Sequence, residues 1–188
     1  DGQPVLDMNS DGRSQYREAE FGVHYTGSRG VDVNVTYVYS QARADLNAFT
    51  VFFDNVLWPI VGENQYAPAR ADAPHRLLVK GRANPRKDWL VLGVLDWRTG
   101  LPYSVETDAR DFLGPRNAFR LPNYFRLDLG LERRFTVGKL RPWIGVRANN
   151  ALDSFSPSDV QAIITSPAFG TFYNSEYRQF RIQVRFER

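Results

Sequence analysis

Tyr177-Arg-Gln-Phe-Arg-Ile-Gln-Val-Arg-Phe-Glu-Arg188 alternates apolar and polar side chains almost without a break. Phe180, Ile182, Val184 and Phe186 fall on one side. Gln179, Arg181, Gln183, Arg185 and Glu187 fall on the other. A period of two residues belongs to a β-strand with one apolar face and one wet face. The same alternation recurs at residues 15–25, 31–43, 75–83, 124–135 and 140–149, and a further strand at 88–97 is apolar on both faces at its start. Pro142 is tolerable there only near a strand start or edge. A transmembrane β-barrel needs this pattern, with apolar side chains toward lipid and polar ones toward a wet lumen. A soluble β-sandwich shows it too, so the rest of the chain must discriminate.

Bulk properties leave both readings open. The chain has 188 residues, enough for one domain with a sizeable core. Hydrophobic residues make up 43% and the mean hydropathy is −0.43. The longest apolar run, 89–95, is too short for a membrane-spanning helix. Barrel strands escape hydropathy scans because every second residue is polar. Aromatic content is 14%, and Tyr and Trp favour membrane interfaces. There is no cysteine, hence no disulfide or thiolate site. The net charge is +3 and the basic residues form no dense block, which argues against a nucleic-acid partner.

The connections carry a direction. Residues 27–30, 84–87 and 137–139 are short turns, whereas 44–74, 99–122 and 150–176 are long. Short and long alternate strictly, as periplasmic turns and extracellular loops do in outer-membrane barrels. The predicted architecture is all-β: an antiparallel up-and-down transmembrane β-barrel segment of about seven strands, with short periplasmic turns and long extracellular loops. Bacterial barrels use even strand counts, and bare edges in lipid leave backbone groups unpaired. The expectation is therefore a single, incomplete domain over 1–188 that lacks strands before Asp1, with any leader removed or lying upstream. A weak extra strand at 49–53 and a helical turn at 158–164, opened by Ser156-Pro-Ser-Asp159, are further expectations.

Several stretches resemble a known family. Asn9-Ser-Asp-Gly-Arg-Ser-Gln-Tyr16 looks like the lead into a strand of the large plugged barrels. Ser40, Asp45-Leu-Asn47 and Asp72-Ala-Pro-His-Arg76 look like their extracellular loop and strand restart. Thr99-Gly-Leu-Pro-Tyr103, Pro122-Asn-Tyr-Phe-Arg-Leu-Asp128, Asn149-Asn-Ala-Leu-Asp153, Ser166-Pro-Ala-Phe-Gly170 and the run Arg178 to Phe186 are similar to the later and closing segments. In order and spacing the chain resembles the C-terminal part of TonB-dependent outer-membrane receptors. Its nearest likeness is to the subgroup with an N-terminal carboxypeptidase-regulatory-like domain. The resemblance implies location in the cell outer membrane and nutrient uptake, with ligand capture at the extracellular loops. The implied partners are membrane lipid, a plug domain of the same full-length chain, the TonB complex acting through that plug, and the barrel-assembly machinery reading the last strand. The plug and TonB box are absent from these residues, and the chain runs two residues past the usual final aromatic.

Glu18, Glu20, Arg126, Asp128, Glu132, Arg147, Arg181 and Arg185 are expected to face the lumen as cross-strand ion pairs and plug contacts. Phe49, Phe52, Phe53 and Trp58 form an apolar loop that either packs over the barrel mouth or meets a ligand. Asp7, Asn9, Asp11, Gly12 and Glu18 fit a calcium-loop spacing, but no helix precedes them, and a loop entering a strand explains the same residues. His24 and His75 are the only histidines and lie on different strands, too few for a zinc site or a catalytic dyad. No enzyme site, metal site or cofactor is expected. Trp89, Phe135 and Trp143 near the short turns, and Trp97, Tyr103, Tyr124 and Tyr177 near the long loops, read as two aromatic girdles. Two other readings remain: a stand-alone small barrel (a pore or a lipid-modifying enzyme) and a soluble β-sandwich binding module.

Overall fold

A computed structural model describes residues 12–46, 65–109 and 111–186. All regular structure among them is β. Seven long strands carry the fold: β1 (Ser14–Thr26), β2 (Asp32–Leu46), β4 (His75–Ala83), β5 (Trp89–Arg98), β8 (Tyr124–Arg134), β9 (Pro142–Asn149) and β12 (Gln179–Phe186). Short pieces fill the long connections: β3 (Gln65–Pro68), β6 (Pro102–Tyr103), β7 (Phe119–Arg120), β10 (Asp159–Val160) and β11 (Phe172–Tyr173). The long strands form one antiparallel meander in the order β1-β2-β4-β5-β8-β9-β12, and β3 adds to β2 beside β4. β1 and β12 are the edges of this sheet among the described residues.

Parity along each strand separates two faces, and the register carries the separation across the whole sheet. From Tyr25 the paired residues run Val33, Gly81, Gly93, Leu129, Ala148, Phe180. The next row on the same face holds Val23, Val35, Val79, Leu95 and Leu127. Tyr25 is close to the end of β1, yet this row reaches β12 near its beginning. The strands are therefore strongly staggered.

Among the described residues the apolar face is half-exposed in the middle of the sheet and exposed toward its edges. Phe21 is 64% exposed, Leu129 46% and Ile182 78%. No large side chain among the described residues is fully buried, and the buried apolar residues are Ala67, Val105 and Leu121. Val105 and Leu121 lie in the second long connection and Ala67 in the short strand β3, so none lies in the seven long strands. A soluble domain packs a second layer on such a face to bury it; among the described residues no side chain of this face is fully buried.

The turns lie at one end and the long connections at the other. Pro142 opens β9, where the lost N–H costs least. The expected helical turn at 158–164 is absent. Asp159 and Val160 instead pair with Tyr173 and Phe172 in a small hairpin. Asp159 Oδ2 accepts from Ser158 Oγ at 2.9 Å and from Asn174 Nδ2 at 2.7 Å, so its carboxylate closes the hairpin instead of capping a helix. The extra strand expected at 49–53 lies outside the described residues.

Candidate functional site

The polar face and the rim of long connections are the chemically furnished parts of the molecule. All eight residues expected on the wet side share that face, but they do not form one cluster. Glu132 is a hub on β8, its side chain 4% exposed. It faces Arg147 at 3.2 Å and Arg185 at 3.4 Å and accepts from Gln183 Nε2 at 2.6 Å. A carboxylate this buried persists because two guanidinium groups and an amide satisfy it. Arg126 pairs with Asp128 at 2.8 Å and with Glu176 of the third long connection. Arg147 and Arg181 stand directly opposite each other on β9 and β12, and Arg181 turns to Gln179 at 3.3 Å. Glu18 and Glu20 lie at the far edge on β1, where Tyr16 Oη donates to Glu18 at 2.6 Å. The same face holds an open hollow of about 610 Å³, lined in part by Asp32, Lys80, Asp128, Arg147 and Asn149.

The rim is interlocked. Asp72 is 3% exposed. Its Oδ1 accepts the Ala42 amide at 2.6 Å, and its Oδ2 receives Arg120 Nη2 at 2.5 Å. Arg120 Nη1 donates to the carbonyls of Asp72 and Gly100 at 2.8 and 3.1 Å, tying the first long connection to the second. Arg116 is buried beside β3, donating from its side chain to the carbonyls of Ala44 and Gln65. Burial lowers its pKa against the opposing pull of Asp45. Asn117 Nδ2 donates to the Pro68 carbonyl at 2.7 Å, and its amide to Ser104 Oγ at 2.8 Å. The second and third connections join where Glu106 bridges Ile163 and where Tyr103 meets Phe172 edge-on.

Gly100 shows how tight this packing is. A β-carbon there would stand 1.7 Å from the Leu121 carbonyl oxygen. None of Asp72, Arg116, Arg120 and Asn117 stood out as a site residue in the sequence. The one local signal was the Gly114-Pro-Arg-Asn117 turn, whose Gly114 and Asn117 adopt φ of 92° and 57°.

Phe49, Phe52, Phe53 and Trp58 lie outside the described residues, as do Asp7, Asn9 and Asp11. Glu18 is committed to Tyr16 on the wet face of β1. His24 sits 3.2 Å from Asp32 across the first turn, and His75 shares a 2.7 Å hydrogen bond with Tyr37 Oη on the apolar face. The two histidines therefore do not meet. No group of three or more metal-ligating side chains occurs among the described residues. The aromatic belts are partly redistributed. Trp89, Phe135 and Trp97 share the parity of the apolar face, whereas Trp143 lies on the polar face with Arg134 and Arg185 over its ring at 5.3 and 5.4 Å. Tyr124 is also on the polar side, under Arg98, and Tyr103 packs within the rim against Phe119.

No protein-family model, curated protein or solved structure matches the chain. The likeness to TonB-dependent receptors rests on the sequence stretches alone.

Proposed function

We propose that this sheet is a section of the wall of an outer-membrane β-barrel, the C-terminal part of a TonB-dependent receptor-like transporter. The observation that carries the proposal is the apolar face, continuous over seven strands and largely uncovered among the described residues of a chain of ordinary mean hydropathy. Lipid is the cover such a face needs when no second protein layer is present. Three further features support it. The opposite face carries the ion pairs and the open hollow. The stagger of the strands is the shear that a tilted, closing sheet requires. The short turns gather at one end and the interlocked long connections at the other. In this reading the turns face the periplasm, the rim faces outward and captures the ligand, and the polar face meets the plug through which TonB acts.

These 188 residues hold no cysteine, so a thiol introduced into them is the one label site within this segment. Ile182→Cys and Gln183→Cys are adjacent but on opposite faces. In outer-membrane preparations a water-soluble maleimide should label Gln183→Cys and leave Ile182→Cys unreacted until detergent is added. Equal labelling of both, with protein released by a urea wash, would sink the membrane reading and favour a sandwich. The intact mass of the native protein in the same membranes separates the transporter from a stand-alone small barrel. A mass several times 21.6 kDa is expected for a large plugged barrel.

A further inference from the structure

The basic residues that look scattered in the sequence are gathered by the fold. Residues 26–32, 82–88 and 133–141, the three turns with their flanks, carry Arg29, Arg82, Arg86, Lys87, Arg133, Arg134, Lys139 and Arg141 against two carboxylates, Asp32 and Asp88, the first of them beside His24 and Arg82. That is net +6 in a chain whose net charge is +3, so the remainder is net negative. The turns are tied into one collar. The Asn84 amide donates to the Arg29 carbonyl at 2.8 Å, and Arg134 bonds Asp88 through its side chain at 2.5 and 2.8 Å. Asp88 is thereby used by Arg134. Arg29, Arg86, Lys87, Arg133, Lys139 and Arg141 are all exposed.

Position makes this more than a solvated charge run. Arg133 has the parity of the apolar face, paired with Trp89 at its turn end. Its guanidinium lies 5.0 Å from the ring centroids of both Trp89 and Phe135. An arginine that lays its stem on an apolar surface beside Trp and Phe occupies the water–lipid boundary, where such side chains reach for headgroups. The collar therefore coincides with one border of the apolar face.

We propose that this collar binds the phosphate groups of anionic phospholipids in the leaflet next to the short turns, fixing the depth and tilt of the sheet in the bilayer. Several cations near a charged surface act additively, each worth about fivefold in local lipid preference. The proposal rests on the membrane reading above.

The test inserts the full chain into vesicles of phosphatidylcholine alone and of phosphatidylcholine mixed with phosphatidylglycerol. The protein is then extracted in mild detergent, and its retained lipids are measured by native mass spectrometry. Phosphatidylglycerol should be enriched about fivefold or more over its share of the bilayer. The variant Arg86→Gln/Lys87→Gln/Lys139→Gln/Arg141→Gln should insert and return the ratio to that of the bilayer. The rim variant Arg70→Gln/Arg178→Gln should keep the enrichment. If the turn variant does not insert, a sodium chloride titration of the native chain decides, because screening should lower the enrichment and an unchanged ratio would overturn the proposal. Equal ratios for native chain and turn variant would also overturn it while leaving the membrane reading intact. Loss of enrichment on adding inorganic phosphate at constant ionic strength would do so too, showing a free-anion site. Failure of the native chain to enter either vesicle would remove the membrane reading and this proposal together.

Discussion

Glu132 Cγ lies over Gly145, 2.7 Å from where a β-carbon on that glycine would stand. The two residues are direct cross-strand partners on β8 and β9. The missing side chain at Gly145 is what lets a carboxylate sink into the polar face and meet Arg147, Gln183 and Arg185 from two strands.

Gly145→Ala should therefore displace Glu132 and cost about 1–3 kcal/mol by overpacking. The Leu131 carbonyl, 3.3 Å from the same point, limits relaxation. Glu132→Gln should cost about 1–3 kcal/mol by removing the charge on which the two arginines converge. In a double-mutant cycle measured by urea unfolding, the pair should cost less than the sum of the singles, because each removes the same contacts. Strict additivity would show that Gly145 serves something other than Glu132.

A charge at the centre of the apolar face separates lipid from water. Ile182 is 78% exposed in the chain as it stands. In a water-facing protein Ile182→Arg would change stability by no more than about 0.5 kcal/mol. Facing lipid, the same substitution should cost about 2–4 kcal/mol near the bilayer midplane. Folding into vesicles followed by denaturant titration reads the difference, and Gln183→Arg on the wet face is the control, expected to be near neutral.

The rim depends on Asp72 and Arg120. Arg120→Ala leaves a carboxylate 3% exposed with the Ala42 amide as the one remaining partner of its side chain among the described residues, and should cost about 3 kcal/mol. Arg120→Lys should recover part of this, since an ammonium cannot reach both the Asp72 carboxylate and two carbonyls from one fork. Thermal unfolding measures both. Amide exchange should increase first at Leu121, whose N–H bonds the Leu101 carbonyl beside Gly100.

The hairpin of β10 and β11 should respond to acid. Hydrogen bonds from Asn174 and then Ser158 hold the Asp159 carboxyl below its usual value of 3.8. A carboxyl depressed in the folded state stabilises it fully above the unfolded value and loses that effect as pH falls through the folded value. The protection factor of the Ser158 amide, bonded to the Asn174 carbonyl at 3.2 Å, should thus be flat down to about pH 4 and fall below it. Asp159→Ala should show the lower protection factor at every pH. A native protection factor already falling near pH 6 would point to a histidine elsewhere.

The long strands were legible because alternation is local. His75–Ala83 agrees residue for residue with the expected 75–83, and the other long strands shift by a few residues at their ends. β3 and the two small hairpins were not legible. Pieces of two to four residues carry no period, and their existence depends on Arg116, Asn117 and Asp159 reaching across the chain. The wet-face charges were readable as a set from parity. Their partners were not, because register decides that Glu132 meets Arg147 and Arg185, while Glu18 ends beside Tyr16.

The sequence by itself determined the two-faced strands, their antiparallel succession and the rhythm of short and long connections, because each depends on residues close along the chain. Only the tertiary structure decided three things. It joined seven separate apolar stripes into one continuous surface, since register alone aligns them. It locked the long connections into a rim through buried charges from distant segments, since such charges are stable only when their partners arrive together. It drew scattered arginines and lysines into a collar at one border of the apolar face, since turns far apart in sequence become neighbours only when a meander stacks them side by side.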